Sequence, residues 1–281
     1  MKIGHTGITW GIPGDVETAY QETADLGYMS FETFATTIIE WNGRPGGYRA
    51  LVERCGIPTS AAYCYKEWID PATAQQDLED ARREADASRE AGASSLVLQG
   101  GSRPQGGLDA DRMRRLADAL NGIGAYCQEI GLVASLHPHT GTAVETREEI
   151  DAILRLTDPA LVGFAQDTGQ IAKGVSDIVA VLDTYRDRIA HVHLKDWCGK
   201  VERDEQGQEI DLTGYVNYEP VGHGVLPMPE ILRILDGCEQ DFWTNVELDG
   251  TSRAPRAPKE AAAMSRRYLG EVLGNQVAWT R

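Results

Sequence analysis

Long apolar runs are missing from this chain: none approaches the ~20 residues that a membrane span needs. The opening MKIGHTGITW also lacks the basic, apolar and small-residue order of a signal peptide, so a cytoplasmic location is expected. Cysteine is sparse. Cys55, Cys64, Cys127, Cys198 and Cys238 are odd in number, scattered and never paired as CxxC, which speaks against a disulfide framework or a zinc ribbon and predicts reduced thiols. Positive charge is in deficit, with 27 Lys and Arg against 43 Asp and Glu and a net charge of −16, which argues against a nucleic-acid partner. What remains is a chain of 281 residues with no linker to divide it. Since α/β barrels commonly run to ~250 residues as one unit, one domain over residues 1–281 is expected.

Glycine punctuates the chain at regular intervals. Leu26-Gly27-Tyr28, Cys55-Gly56-Ile57, Ala91-Gly92-Ala93 and Ile130-Gly131-Leu132 each set a glycine between a helical pattern and a strand-like run, where left-handed backbone ends a helix. Eight strand-like runs follow one another: Lys2 to Trp10, Tyr28 to Thr33, Ile57 to Tyr63, Ser94 to Gln99, Leu132 to His137, Leu161 to Asp167, Ile189 to Lys195 and Phe242 to Leu248. Helical patterns separate them. The first follows a Pro13-Gly14-Asp15 turn, another follows Asp70-Pro71 with Leu78, Ala81 and Ala85, and the clearest carries Met113, Leu116, Leu120, Ile123, Cys127 and Ile130 on one stripe. Alternation of this kind predicts a parallel sheet, and eight units predict closure into a (β/α)8 TIM barrel. Two connections, 34–47 and 196–226, exceed what a bare loop needs and are expected to rise over the active face as a lid.

The stretch Gly131 to Glu145, GLVASLHPHTGTAVE, ends an apolar run in a dense polar cluster. Val133, Ser135, His137 and His139 share one strand face, while Leu132, Ala134 and Leu136 share the other. Thr146 with Glu149 then reads as a capping box ahead of Ile150, Ile153 and Leu154. Parallel sheets bind ligands at the carboxyl ends of their strands. Those ends supply Glu32, Tyr63, Gln99, His137 with His139, Asp167, His193 with Lys195, and Glu247. Strand parity groups Gly163, Ala165 and Asp167, then His191, His193 and Lys195, then Asn245, Glu247 and Asp249, each opposite an apolar face.

Converging carboxylates repel unless a cation lies between them. Glu145, Asp167, His193 and Glu247 offer oxygen ligands and one nitrogen, a set suited to Mn2+, with Co2+ or Mg2+ as alternatives. Asp167 has a second reading as the N-cap of the next helix, but the helical pattern starts later, near Ser176. Glu145 has one as an ordinary loop carboxylate, and His5 is expected to be structural. Glu32, Tyr63 and Gln99 are expected to line a substrate pocket.

The segments LHPHTGTAVET, FAQDTGQI, HVHLKDW, VGHGVLPMPEIL and NVELDG, in that order, resemble the xylose isomerase-like barrel superfamily of sugar isomerases, epimerases and dehydratases. Within it the pattern is most similar to inosose dehydratases and the catalytic subunits of C-glycoside deglycosidases, over about Gly131 to Asp249. The resemblance implies a metal held by residues of strands five to eight, matched here by Glu145, Asp167, His193 and Glu247. Two positions depart from it: many members carry a glutamate where this chain has His137, and a histidine where it has Gln170. Either Glu145 supplies the carboxylate from the loop or His137 is the ligand, and Gln170 is restricted to hydrogen bonding of the substrate.

The expected chemistry is removal of a proton α to the carbonyl of a keto-sugar or keto-cyclitol. His137 or His139 serves as base, and Lys195 or a protonated histidine assists the leaving group. Expulsion of a β-substituent gives a lyase; reprotonation gives an epimerase or an aldose–ketose isomerase. A non-catalytic sugar-binding subunit and an apurinic endonuclease are the readings from other classes, the latter opposed by the acidic charge. Arg253 and Arg256 leave a phosphorylated substrate open, and assembly with itself or with a small second subunit is compatible with the pattern.

Overall fold

Eight parallel strands close into a barrel in the computed structural model, which describes residues 1–11, 14–175, 177–249 and 254–274. Pro13, Ser176 and Arg253 lie outside the described residues, so the turn at Pro13, the helix start at Ser176 and the arginine option at Arg253 do too. The strands are β1 (Lys2–Thr6), β2 (Phe31–Phe34), β3 (Thr59–Tyr65), β4 (Ser95–Gln99), β5 (Val133–His137), β6 (Val162–Asp167), β7 (Ile189–Leu194) and β8 (Trp243–Val246). Each pairs with its neighbours in sequence. Closure comes from β8 returning to β1, with Lys2 opposite Trp243 and Gly4 opposite Asn245.

The four punctuating glycines do what their positions predict: Gly27, Gly56, Gly92 and Gly131 have φ of 78°, 74°, 88° and 73°. At these angles a Cβ would crowd the following carbonyl, so glycine ends each helix without strain. The outward strand residues Leu96, Leu98, Ala134, Leu136, Phe164, Val192 and Leu194 join Leu116, Leu120, Ile123, Ile150 and Ile153 of the helices in one buried core. The stripe read along the sequence is therefore the inner face of helix Ala110–Glu129. Thr146 and Glu149 form the expected capping box at the start of helix Arg147–Leu156.

Three expectations are corrected. Gly7–Trp10 is a 3-10 turn rather than the end of β1. The connection 34–47 is mostly helix, Ala35–Asn42, because Ala35, Ile38 and Trp41 recur at a spacing that buries one face. Helix Thr168–Val175 starts directly after β6, well before the position that the apolar pattern indicated. The other long connection, 196–226, is a true excursion. Its base is an antiparallel pair, Asp196–Trp197 with Tyr218–Glu219, and a second pair, Glu202–Arg203 with Glu209–Ile210, lies further out.

The barrel interior is not filled by branched aliphatic layers, the common solution. Small side chains occupy much of it: Ser60, Ala61, Ser95, Ser135 and Ala165 are all buried. At Gly4 a Cβ would fall 2.0 Å from Ser30 Oγ and 2.3 Å from Asn245 Oδ1. That economy of volume leaves room along the axis for carboxylates and imidazoles. Leu120, fully buried between helix and sheet, marks the apolar half of the fold. Leu120→Ala is expected to lower unfolding stability by about 2–5 kcal/mol, read as a lower urea midpoint at unchanged m-value.

Candidate active site

At the bottom of the site Glu32 of β2 accepts two hydrogen bonds from histidines of β7: His191 Nε2 donates to Oε2 at 2.8 Å and His193 Nε2 to Oε1 at 2.9 Å. Asn245 Nδ2 adds a third bond to Oε2 at 2.6 Å and reaches Ser60 Oγ at 2.9 Å. All are buried. Burial by itself would raise the Glu32 pKa, but His193 and then His191 hold it well below the usual carboxylate range. The register between β2 and β3 shifts beside Glu32, an irregularity of the kind that re-aims side chains at sites.

With Nε2 donating to Glu32, the other nitrogen of His193 is the one that faces upward. His193 Nδ1 pairs with Glu247 Oε2 at 3.0 Å and lies 4.0 Å from Asp167 Oδ2; burial works against charge on the ring, but Glu247 and Glu32 raise its pKa well above the histidine norm. His137 completes this level: its Nδ1 donates to the Ala165 carbonyl at 3.2 Å, leaving Nε2 as the lone-pair nitrogen. Burial, and then His193, pushes the His137 pKa well below the histidine norm, so the ring is neutral as a ligand requires. Among the described residues two sets bring ligand atoms within 4.8 Å of one another, His137 with Asp167 and His193, and Glu32 with His191 and His193. In the second set the facing atoms, both Glu32 oxygens and Nε2 of each histidine, are already bonded to one another. The first brings a carboxylate and two imidazoles together in a buried place and fits a divalent ion by its mixed oxygen and nitrogen donors, with Glu247 beside it and Glu32 orienting His193 from behind.

Asp167 turns out to serve both readings at once. Its Oδ1 accepts from Gln170 N at 2.9 Å and so caps the helix, while Oδ2 turns to the site, 3.3 Å from the Lys195 ammonium. Lys195 is fully buried, and its ammonium touches Glu247 Oε1 at 2.6 Å, Asp249 Oδ2 at 2.9 Å and Asp167 Oδ2 at 3.3 Å. Burial works against its charge, but Asp167, Asp249 and Glu247 raise its pKa well above the lysine norm, and it stays a cation. Glu247 is held well below the carboxylate range by His193 and Lys195 in spite of its burial. Gly169 makes this packing possible, since a Cβ there would lie 3.0 Å from Lys195 Cγ and from Tyr218 Cδ1.

A cleft of about 270 Å3 opens above this floor, lined by Glu32, Phe34, Tyr63, Tyr65, Gln99, His137, His139, Glu247 and Asp249 among others. It sits near the small end of the ~300–1,000 Å3 typical of small-molecule pockets. Tyr63 meets His137 edge-on at 5.4 Å and stacks toward His193 at 6.3 Å. Most of the residues expected from strand ends are thus brought together. Lys195 does not line the cleft, because Tyr218 of the excursion covers it, with the ammonium 4.5 Å from the ring centre. Gln170 is likewise behind the wall rather than in it, and its side chain bonds to protein groups only.

Glu145 stands apart. Its Oε2 accepts from Gly141 N at 3.1 Å and pairs with Arg103 at 3.5 Å, a cation that Glu149 holds in place with bonds of 2.9 and 3.0 Å. The loop bends it outward because Glu149 draws both Arg103 and the Glu145 backbone amide to itself. Arg256 pairs with Glu260 on the exterior. His191, Asn245, Asp249 and Tyr218 belong to the site and were not named by strand-end reasoning. For the first three the face parity of β7 and β8 carried the signal; for Tyr218 no local pattern did.

A sequence model of the xylose isomerase-like TIM barrel family matches residues 20–269. The chain belongs to this family. Among curated family relatives it is similar to an inosose dehydratase of Geobacillus kaustophilus (strain HTA426), 28% identical over 302 residues that cover 99% of this chain and 96% of that protein. Among solved structures of like fold are the IOLI protein with a bound zinc atom, TM-score 0.75 at 16% identity over 99% of this chain and 100% of that one, and the 3-keto-D-glucoside 4-epimerase of E. coli, TM-score 0.72 at 17% identity over 95% and 99%. At such identities the likeness is one of fold. No helix among the described residues is long and apolar enough to cross a membrane.

The lowered pKa of Glu32 has a signed consequence. A carboxylate that is depressed on folding adds stability above its unfolded value of ~4.3, and that stability is lost as pH falls through the folded value. Glu32→Gln is expected to cost about 3–5 kcal/mol at neutral pH by taking from two buried imidazole N–H groups the carboxylate to which they donate. Below pH ~4.3, where the parent begins to lose the Glu32 contribution, the stability difference between parent and variant should shrink, as urea titrations at stepped pH would show.

Proposed function

We propose that this protein is a divalent-metal-dependent dehydratase of a keto-cyclitol or keto-sugar, with an inosose as the first substrate to try. One observation carries the reading: ligand atoms of His137, Asp167 and His193 converge within 4.8 Å of one another, buried under a cleft of monosaccharide size. Similarity to an inosose dehydratase along nearly the whole chain supports the choice of substrate. His137, Asp167, His193 and Glu247 would hold the ion, Mn2+ by preference and Co2+ or Mg2+ next, as their mixed nitrogen and oxygen donors favour. When bound, such an ion polarises the substrate carbonyl and makes the adjacent C–H more acidic.

The protein groups account for the proton traffic. His139 lines the cleft and is taken as the base: Nδ1 donates to the Thr140 carbonyl, and the Nε2 lone pair, which accepts from Gln170 at 2.9 Å, is released to the substrate when the ring turns from that amide. It takes the α-proton; the electron pair left on carbon forms the new double bond as the β C–O bond breaks. The departing hydroxide then recovers that proton from the imidazolium and leaves as water, so one histidine serves both halves of the elimination. Tyr63, whose phenol burial holds well above its usual pKa, remains a hydrogen-bond donor to the substrate. Lys195 supports Glu247 and Asp249 as their buried counter-charge rather than meeting the leaving group itself. Glu32, Gln99 and the aromatic wall shape the cleft.

Incubating metal-loaded protein with inosose, 3-keto-glucosides and simple ketoses in heavy water tests this reading. Deuterium should enter α to the carbonyl, with water lost from the accepted substrate, and activity should vanish on chelation and return with Mn2+. Absence of exchange with every candidate would sink the reading. Asp167→Asn should lower kcat/KM by about 100-fold or more, whereas Glu145→Gln, at a solvent-screened pair, should stay within about threefold.

A further inference from the structure

Gln170 occupies an unusual position for a residue beside the cleft: its side-chain bonds run to protein groups, and one of them involves a backbone N–H, whose polarity is fixed. The Thr140 amide N–H faces one end of the Gln170 carboxamide at 3.3 Å, so that end must be the oxygen Oε1. Thr140 Oγ1 and Tyr218 OH donate to the same oxygen, each at 2.6 Å. The amide nitrogen is thereby turned to His139, with Gln170 Nε2 at 2.9 Å from His139 Nε2. On the far side of the ring His139 Nδ1 lies 2.7 Å from the Thr140 carbonyl, which can only accept. A donor fixed by backbone at one end and an acceptor fixed by backbone at the other leave a single consistent pattern: His139 carries its hydrogen on Nδ1 and its lone pair on Nε2.

We infer that Gln170 and Tyr218 are positioning residues that set the tautomer of His139, and that the excursion 196–226 reaches the chemistry through Tyr218. The inference rests on the reading of His139 as the base, and it moves Gln170 from substrate contact to support. The excursion is built to hold Tyr218 still. Val216 and Asn217, directly before it, adopt positive φ of 56° and 69°, a strained pair for residues other than glycine. Asp211 holds the strained turn by accepting from the Gly214 and Asn217 amides, and the buried Asn217 side chain donates to Glu209 at 2.6 Å and to the Ile210 carbonyl at 2.9 Å. Glu209 in turn pairs with Lys173 of the helix that bears Gln170. Excursion and helix are thus joined twice, once by an ion pair and once by the Tyr218 to Gln170 bond.

Nitrogen-15 NMR of the histidine-labelled full chain with diamagnetic Mg2+, at about pH 9 where an ordinary histidine is neutral, reads the tautomer directly, with the His139 ring assigned by its loss in His139→Asn. Wild type should show Nδ1 protonated and Nε2 bare; a wild-type ring protonated on Nε2 overturns the inference. Gln170→Glu puts an acceptor at both ends of the ring and should place a hydrogen on Nε2 as well, read as loss of the bare-Nε2 signal, while an unchanged ring pattern overturns it. Tyr218→Phe should give a mixture of the two forms, and a pure Nδ1–H signal removes Tyr218 from the chain of influence. Kinetics of Gln170→Glu separate support from substrate contact: kcat should fall about 100-fold or more at a KM within about twofold, whereas a raised KM at unchanged kcat overturns the assignment. The function reading fails separately. If the tautomers are as expected but His139→Asn still exchanges deuterium into substrate, His139 is not the base and its tautomer is nonetheless set as described.

Discussion

Glu32 spends both carboxylate oxygens on histidines of a single strand, and the rest of the site is arranged above that pairing. A carboxylate buried on the barrel axis has no water to stabilise it, so it must be met by donors; two imidazole N–H groups and an asparagine amide meet it. The pairing fixes which nitrogen of His193 remains available. With Nε2 committed below, Nδ1 is delivered upward between Asp167 and Glu247, the two carboxylates that Lys195 also meets. Small interior side chains make the arrangement possible, since a barrel filled by branched aliphatics would have no room for it.

Charge is balanced in layers. Glu32 answers the two histidines at the floor, and Lys195 answers Glu247, Asp249 and Asp167 at one side. Because Lys195 is enclosed, its charge acts at close range and is little screened by salt. It holds the carboxylates ionised and in place, which is a different task from meeting a substrate. The excursion supplies the cover, and through Tyr218 it also holds the amide that faces His139. A segment that looks like a polar lid in sequence therefore backs the site from behind the cleft lining.

The barrel itself was legible because its signals are local and repeat. Four glycines at helix ends, apolar stripes at helical spacing and strands with one polar and one apolar face each follow from backbone geometry that nearby residues dictate. The connection 34–47 was misread for a related reason: its stripe of Ala35, Ile38 and Trp41 is short, and a short stripe beside a strand does not declare itself. Asp167 shows the limit of choosing between roles, since one oxygen caps a helix and the other is left to the site.

Sequence alone determined the eight-strand alternation and the face that each of His137, Asp167, His193, Lys195 and Glu247 occupies, because side-chain direction along a strand alternates whatever surrounds it. Tertiary structure decided everything that depends on distance between strands. Glu145 and Asp167 are both acidic residues at the edge of the same sheet, but Arg103 and Glu149 draw the first outward while the second is enclosed beside His193. Lys195 points to the interior as its parity requires, and only the fold reveals that Tyr218, 23 positions further along, closes over it. Pairings of this kind join residues far apart in the chain, so no local pattern encodes them; they exist once the barrel has closed.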